Sequence, residues 1–598
     1  MFGLDPAQRK VRASDFHVAF DEVDTPPERS LWLEADFEFP ELSADLQSGE
    51  QLAAVPTHFA HMRMETDDET VRVRFRLDAK IDQDGDIEEA FNSVIRVEAN
   101  GKPVELSRVS KHDRNAVQVH YLPARRNPGD HISYSTNALL GRALRAANWS
   151  VEREAIEQFA QEISSALSSN AAVKEVSREV AKAWLDLHKG KYYADPSLSF
   201  GHSAMETLLR HLTLGFTPGH EAPNVDFSRL SDGQQSLLYI GLVLAVREIG
   251  ERAITGELKA FDVAKLRPPL FTLLAVEEPE NSLSPHYLGR VARTLTALGK
   301  GRDAQSVIAT HAPSLLRRVD PEAIRYLRLN AQRCTTVATI ALPDEAEAEK
   351  YVRQAVRAFP ELYFARLVIL GEGDTEEVVL PRLLSAKGIL ADDASVSVVP
   401  LGGRHVNHFW RLLNGLGIPH VTLLDLDLGR HQGGWGRVKT ALQQLLNHGD
   451  PIGLDQAMIN GVPVWNGTKH LLASTDGWLP WLEQQGVFFS TPLDLDFVMV
   501  EAFPDAYGVI DIIDLDPPDA QTAVAVLGKS HGDFAAQYTK EQQELFGFYH
   551  RSFKLGSKPS QHVKALSKLS DADLIAHMPL VLNRMIAEIE TKLEALPE

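Results

Sequence analysis

GEGDTEE at Gly371–Glu377 and VTLLDLDLGR at Val421–Arg430 decide how this chain is read. The first stretch follows the apolar run Leu367–Leu370, so Glu372 falls at the end of a buried strand and Glu376 one turn into the next helix. The second is another apolar strand, ending in Asp425 and Asp427. Carboxylates gathered at neighbouring strand ends repel one another unless a cation lies between them. Oxygen ligands of this kind favour a hard ion such as Mg²⁺ or Mn²⁺, and such ions support phosphodiester chemistry.

Working outward, the pattern from Arg366 is strand, helix (Thr375–Ala386), strand (Val396–Pro400), helix (Val406–Leu416) and strand (Val421–Leu424). Strands alternating with helices through short turns predict a parallel sheet. The tail Leu574–Leu593 reads as one helix, and the acidic, Ala-rich stretch Asp344–Ala358 as a helix at the junction between two halves. Near the start, Leu31–Phe39 and Val71–Ile81 alternate like half-exposed antiparallel strands. Ser150–His188 carries Ile156, Phe159, Ile163 and Leu167, then Val173, Val176, Val180, Trp184 and Leu187, at helical spacing around a break near Ser168–Asn170. That is a helical hairpin whose apolar stripes either join the local core or meet a second copy.

A chain of 598 residues has room for about two to four domains at roughly 150 residues each. Leu237–Val246, the longest apolar run, is interrupted by Tyr239 and Gly241 and is too short to span a bilayer. The single Cys334 excludes an intramolecular disulfide framework or a Cys-based zinc site. With no signal-peptide pattern at its opening, the chain is expected in the cytoplasm. A net charge of −21 argues against a broad DNA-coating surface, so any grip on nucleic acid must be local and metal-assisted.

Three further motifs precede the carboxylates. LSDGQQS at Leu230–Ser236 opens a long apolar helix, where Ser231, Gly233 and Gln234 could present a hydroxyl and backbone N–H groups to a phosphate. LLAVEEPENSLSP at Leu273–Pro285 ends a buried strand in Glu277, suited to a Mg²⁺ water shell, and Glu278, suited to polarising the attacking water. SVIATHAPSLL at Ser306–Leu316 ends another strand in Thr310 and His311, placed to sense a γ-phosphate. Taken singly, each has a plainer reading as a helix cap, a charged turn or a core histidine. In this order they resemble the ABC-type ATPases of the SMC, Rad50 and RecF group. There the signature loop of one subunit closes on nucleotide held by another, so the resemblance implies a homodimer or higher even oligomer and ATP as ligand.

The phosphate-wrapping G-x-x-x-x-G-K-[ST] loop of those ATPases has no counterpart upstream of Leu230. The GKS at Gly528–Ser530 lies in the wrong half, with Ala523 where the first Gly belongs, and reads as a loop. MFGLDPAQRKVRASDF resembles the segment that follows the phosphate loop, so the chain is expected to begin roughly 30–45 residues late relative to that group.

Glu372 with the D-x-D pair Asp425 and Asp427 resembles the TOPRIM domain of topoisomerases, DnaG-type primases and certain nucleases, over roughly Leu367–Leu428. An ABC-type ATPase followed by TOPRIM is the arrangement of the OLD (overcoming lysogenisation defect) family nucleases, which include the nuclease subunit of Gabija-type systems. The resemblance implies a metal-dependent DNA endonuclease acting in anti-phage or foreign-DNA defence, with two metals and a possible helicase-type partner encoded nearby. Glu372, Glu376, Asp425 and Asp427 would hold one ion. LDLDFV at Leu493–Val498 supplies Asp494 and Asp496 for the other, with Asp where the family pattern has Glu. The catalytic lysine is placed at Lys558 in GSKPSQH, in preference to Lys554 and Lys564. No Tyr lies in a setting suited to a topoisomerase. The alternative is a RecF-like DNA-binding ATPase or clamp of DNA repair that does not cut.

The expected α/β architecture is therefore an ABC-type ATPase domain over 1–345, with a helical insert at about 137–190, a linker at 346–365, and a TOPRIM parallel-sheet domain with a helical C-terminal extension over 366–598.

Overall fold

A computed structural model describes residues 1–3, 9–19, 22, 28–39, 58–65, 71–124, 131–187, 214–217, 225–226, 229–281, 283–301, 303–330, 332–342, 353, 357–401, 406–448, 453–467, 469–509, 520–529, 531–554 and 558–597. They form two compact units, Met1–Thr310 and His311–Glu598.

In the first unit, β1 (Arg29–Phe39), β2 (Val71–Ile81), β3 (Ile87–Val97) and β4 (Pro103–Arg108) form an antiparallel sheet in that order. Alternation along β2 puts Val71, Val73, Phe75, Leu77 and Ala79 inward. Phe2, Phe39 and Phe59 join Val73 and Phe75 in an aromatic-rich core. Next come β5 (Val117–Leu122) and the helices α1 (His131–Ala146), α2 (Arg153–Ser169), α3 (Ala171–Leu187) and α4 (Asp232–Ile254). Then follow β6 (Phe271–Glu277), α5 (Pro285–Leu298) and β7 (Ala304–Ala309). Strands β5, β6 and β7 make a parallel sheet with β6 in the middle. The α2–α3 hairpin forms around Asn170, whose side chain accepts from Ala172 N, and several described residues of its stripe are exposed. Phe159 is 61% and Val176 53% exposed, because the two short helices bury little of it against each other.

The second unit adds a two-stranded ribbon, β8 (Arg325–Leu329) with β9 (Thr335–Thr339), before the parallel sheet. That sheet alternates with helices: β10 (Leu367–Gly371), α6 (Asp374–Ala386), β11 (Val396–Pro400), α7 (Val406–Leu416), β12 (His420–Asp425), α8 (Trp435–His448) and β13 (Val487–Ser490). Its order is β11-β10-β12-β13, all parallel. Both faces are covered, as an uninterrupted apolar strand demands: Val368 and Leu370 enter one core, Leu367 and Ile369 the other. The helices that follow include α9 (Leu495–Ala502), α10 (Lys540–Ser552), α11 (Lys558–Leu566) and α12 (Leu580–Ala595).

Three sequence readings differ from this architecture. The units divide at Thr310/His311 rather than near 345, because Leu316 and Ile340 are buried in the core around Leu370 and Trp410. The tail is two helices, Asp571–Ala576 and α12, since Pro579 has no N–H with which to continue the first. Asp344–Ala358 falls largely outside the described residues, as does Ser530 of the GKS triplet; Gly528 follows the helix Ala520–Leu527.

Candidate metal and nuclease site

The parallel register brings the acids together. Gly371 ends β10, and Glu372 just beyond it accepts a hydrogen bond from Asp425 N at 2.8 Å, across to the end of β12. Gly371 has to be glycine: a Cβ there would lie 2.4 Å from Glu376 Cβ on the first turn of α6. Glu376 turns back to accept from Gly373 N at 2.9 Å, capping its own helix, and is 2% exposed. Asp425 Oδ1 accepts from Leu495 N at 3.2 Å, while no described residue donates to its other oxygen. Asp427 adopts the left-handed backbone region, φ 51°, in a turn so tight that a Cβ on Gly433 would meet its carbonyl oxygen at 1.7 Å.

Two arginines bridge these acids. Arg437, on α8, bonds Glu372 Oε1 at 3.0 Å and also Asp427 Oδ2. Arg430 Nη1 lies 2.7 Å from Asp427 Oδ1 and 3.3 Å from Asp494 Oδ2. Asp494 caps α9 through Phe497 N at 2.9 Å and takes the Tyr549 hydroxyl on its other oxygen. Asp496 Oδ1 accepts from the Thr375 hydroxyl at 3.0 Å and lies 2.8 Å from His562 Nε2; Lys558 Nζ donates to its Oδ2. Tyr507 in turn is bonded to His562 Nδ1. All six carboxylates and Lys558 are thereby gathered at one end of the sheet.

Burial governs their protonation. It raises Asp425 well above the ordinary carboxylate range, with Asp494, Glu372, Glu376 and Asp427 adding to it. Burial likewise raises Glu372 and Asp494, and pushes Glu376 up to about 7. Burial would raise Asp496 too, but the His562 hydrogen bond and the Lys558 charge outweigh it and hold Asp496 low. Desolvation opposes a charged Lys558, yet Asp494 and Asp496 overcome that and keep it protonated.

Hard oxygen donors under mutual repulsion, one of them with an oxygen that no described residue fills, fit a divalent cation at Glu372, Glu376 and Asp425. Among the described residues no three His, Cys, Asp or Glu side chains stand as a ready-made cage, because guanidinium groups bridge the acids.

In the first unit, Ser231 caps α4 and Gln234 returns a bond to Ser231 N at 3.0 Å; Gly233 is buried. Glu277 ends β6 and accepts from Ala124 N at 3.1 Å, and its bond to Tyr121, after burial, helps raise that phenol to about 12. Glu278 has φ 39°, an unusual conformation for a residue with a side chain, and it accepts from Asn281 Nδ2. The Thr310 hydroxyl donates to Glu280 at 2.8 Å. His311 belongs to the second unit, where its ring lies 6.2 Å from that of Phe364. Sequence reading missed Arg430, Arg437, Thr375, Tyr549 and His562. Thr375, Arg430 and His562 stand inside quoted motifs, whereas nothing local marks Tyr549 or Arg437.

Residues 363–427 match the family described as "Overcoming lysogenization defect protein-like, TOPRIM domain". Residues 44–317 match "AAA domain, putative AbiEii toxin, Type IV TA system". An ATPase-domain match is thus followed along the chain by an OLD-like TOPRIM match. The TOPRIM match takes in Glu372, Glu376, Asp425 and Asp427; Asp494, Asp496 and Lys558 lie beyond it. Endonuclease GajA of Bacillus cereus (strain VD045) is 27% identical over 159 residues, 26% of this chain and 27% of that protein. The chain thus matches about a quarter of the length of this curated relative. Among solved structures, the C-terminal region of the Burkholderia pseudomallei OLD protein aligns at 22% identity, covering 38% of this chain and 99% of that one, TM-score 0.26. A mercury-phased C-terminal region of the Xanthomonas campestris pv. campestris OLD protein aligns at 22% over 38% and 98%, TM-score 0.23. An SmcHead bound to the C-winged helix domain of ScpA aligns at 14% over 57% and 83%, TM-score 0.25. Among the described residues no helix is long and apolar enough to cross a membrane.

Proposed function

We propose that this chain is a metal-dependent DNA endonuclease coupled to an ABC-type ATPase, serving in defence against phage or other foreign DNA. The observation that carries this reading is the Glu372–Asp425 bond between neighbouring parallel strand ends, inside the OLD-like TOPRIM match. The GajA relative's name, an endonuclease, supports it. Glu372, Glu376, Asp425 and Asp427 would hold Mg²⁺ or Mn²⁺, which would polarise the scissile phosphate and activate a water. Lys558, kept charged by Asp494 and Asp496, stabilises the negative charge that develops at phosphorus. The buried surroundings strengthen that interaction by excluding solvent.

In the ATPase half, Ser231, Gly233 and Gln234 of one chain would close on ATP whose hydrolysis is served by Glu277, Glu278 and His311 of another. The working form is then a homodimer or a higher even oligomer. A cytoplasmic location and a helicase-type partner encoded nearby belong to the same family reading.

Supercoiled-plasmid cleavage with Mg²⁺ or Mn²⁺ and no nucleotide, comparing the chain with Glu372→Ala, tests the proposal. Metal-dependent nicking that disappears in the variant is expected. Nicking that survives in Glu372→Ala would remove the catalytic centre from this site. DNA binding with no nicking in either protein would favour the clamp.

A further inference from the structure

The two carboxylate groups at this site are not equivalent in what their oxygens already hold. Asp425 keeps an oxygen that no described residue donates to. Asp494 and Asp496 keep none: Phe497 N serves Asp494 Oδ1, and Tyr549 with Arg430 serves Oδ2. Thr375 and His562 serve Asp496 Oδ1, and Lys558 serves Oδ2. The two aspartates are 2% and 3% exposed, so their ligand spheres are completed from inside the protein.

Arg430 does what a bridging ion would do. One of its nitrogens contacts Asp427 of the first group and Asp494 of the second. It is also fixed from behind, through Nε to the Val526 carbonyl at 3.2 Å and Nη2 to the Tyr549 hydroxyl at 3.1 Å. A guanidinium held through all three nitrogens is pre-organised and does not leave cheaply. Arg437 differs: among the described residues it bonds only Glu372 and Asp427, which leaves it displaceable by an ion. A divalent cation at Asp494 and Asp496 would have to sit against both Arg430 and Lys558, where like charges in a low-dielectric setting oppose it.

We infer that this site takes one divalent cation, at Glu372, Glu376, Asp425 and Asp427, and that Arg430 with Lys558 stands in place of a second. This rests on the metal-site reading above and departs from the pair of ions implied by family resemblance, for which Asp494 and Asp496 do not fit. It assigns Arg430 to the charge neutralisation of the reacting phosphate region and makes Asp494 and Asp496 positioning residues for the two fixed cations.

Mn²⁺ binding to the full chain tests this without any cleavage readout. The titration is followed by electron paramagnetic resonance of free Mn²⁺, with no nucleotide, on a Glu277→Gln background that silences the ATPase acid. One ion per chain is expected, lost in Glu372→Gln. Asp494→Asn, which retains the cap on α9, should leave the stoichiometry at one. Arg430→Gln should admit a second ion. Two ions per chain in the parent protein, or loss of an ion in Asp494→Asn, would overturn the inference while leaving the nuclease reading intact. No bound Mn²⁺ in the parent would overturn the metal site itself, and this inference with it.

Discussion

Asp425 shows how a buried carboxylate among others costs stability. Burial, then the neighbouring Asp494, Glu372, Glu376 and Asp427, raise its pKa, so the folded protein binds that proton more tightly than the unfolded chain does. Stability from this group is therefore present at acid pH and falls as pH rises above the usual carboxylate range. Asp425→Asn removes the charge and the penalty together. Its melting temperature in EDTA at neutral pH should rise by a few degrees, roughly what 1 kcal/mol produces in a unit of this size. Plasmid nicking should fall by more than about 100-fold. A lower melting temperature, measured by differential scanning fluorimetry, would contradict the repulsion argument. Gly371→Ala is the companion case: a Cβ 2.4 Å from Glu376 Cβ must shift α6, so weaker Mn²⁺ binding is expected in the same titration.

At the scale of the element, β5 and α12 each carry a burial effect that can be measured. His120 lies on β5, 3% exposed beside Tyr239, and burial, with the Arg142 charge, lowers its pKa to about 4. The unfolded histidine accepts a proton near its ordinary value of 6.5, whereas the folded one resists until about 4. Its contribution is complete above pH 6.5 and is lost as pH falls toward 4. Between pH 7 and pH 5 that is about 2 kcal/mol. His120→Gln should flatten the pH dependence of the first unit's melting temperature across that window; an unchanged slope would mean another group is responsible. In the second unit, α12 lays Val581, Leu582, Met585, Ile586 and Ile589 against the sheet. Met585 is fully buried, and Met585→Ala should cost about 2–5 kcal/mol in guanidinium unfolding.

At the scale of the molecule, the apolar side chains exposed along α2 and α3 offer a surface to a second copy. Phe159, Ile163, Val176, Val180 and Trp184 are all exposed along one hairpin, more apolar surface than an isolated pair of helices normally shows. If a second copy covers it, sedimentation analysis should give an even oligomer that Phe159→Glu with Val180→Glu shifts to a monomer. Each unit's own core should survive that change, because the stripe belongs to neither the Phe75 cluster nor the sheet cores. An unchanged sedimentation coefficient would assign oligomerisation to another surface.

Local sequence determined the elements and the first four acids. Short apolar stretches such as Leu367–Leu370 and Val421–Leu424, bounded by turns, read as strands buried on both faces, and residues at strand ends are marked by where those stretches stop. Asp494 and Asp496 came from the family resemblance alone; their place at the start of α9 is visible only in the structure. What surrounds the acids was not. Tyr549 on α10, His562 on α11 and Arg437 on α8 reach them from elements distant in sequence, and no local periodicity records which helices pack over a sheet edge. The units' division at Thr310/His311 was likewise hidden, since Leu316 and Ile340 look equally apolar whichever core receives them. Sequence alone settled which residues could carry charge to the sheet's end, because strand and helix periods are local. Tertiary structure alone decided which of those charges are already neutralised, because that depends on side chains brought together across distances that no local pattern encodes.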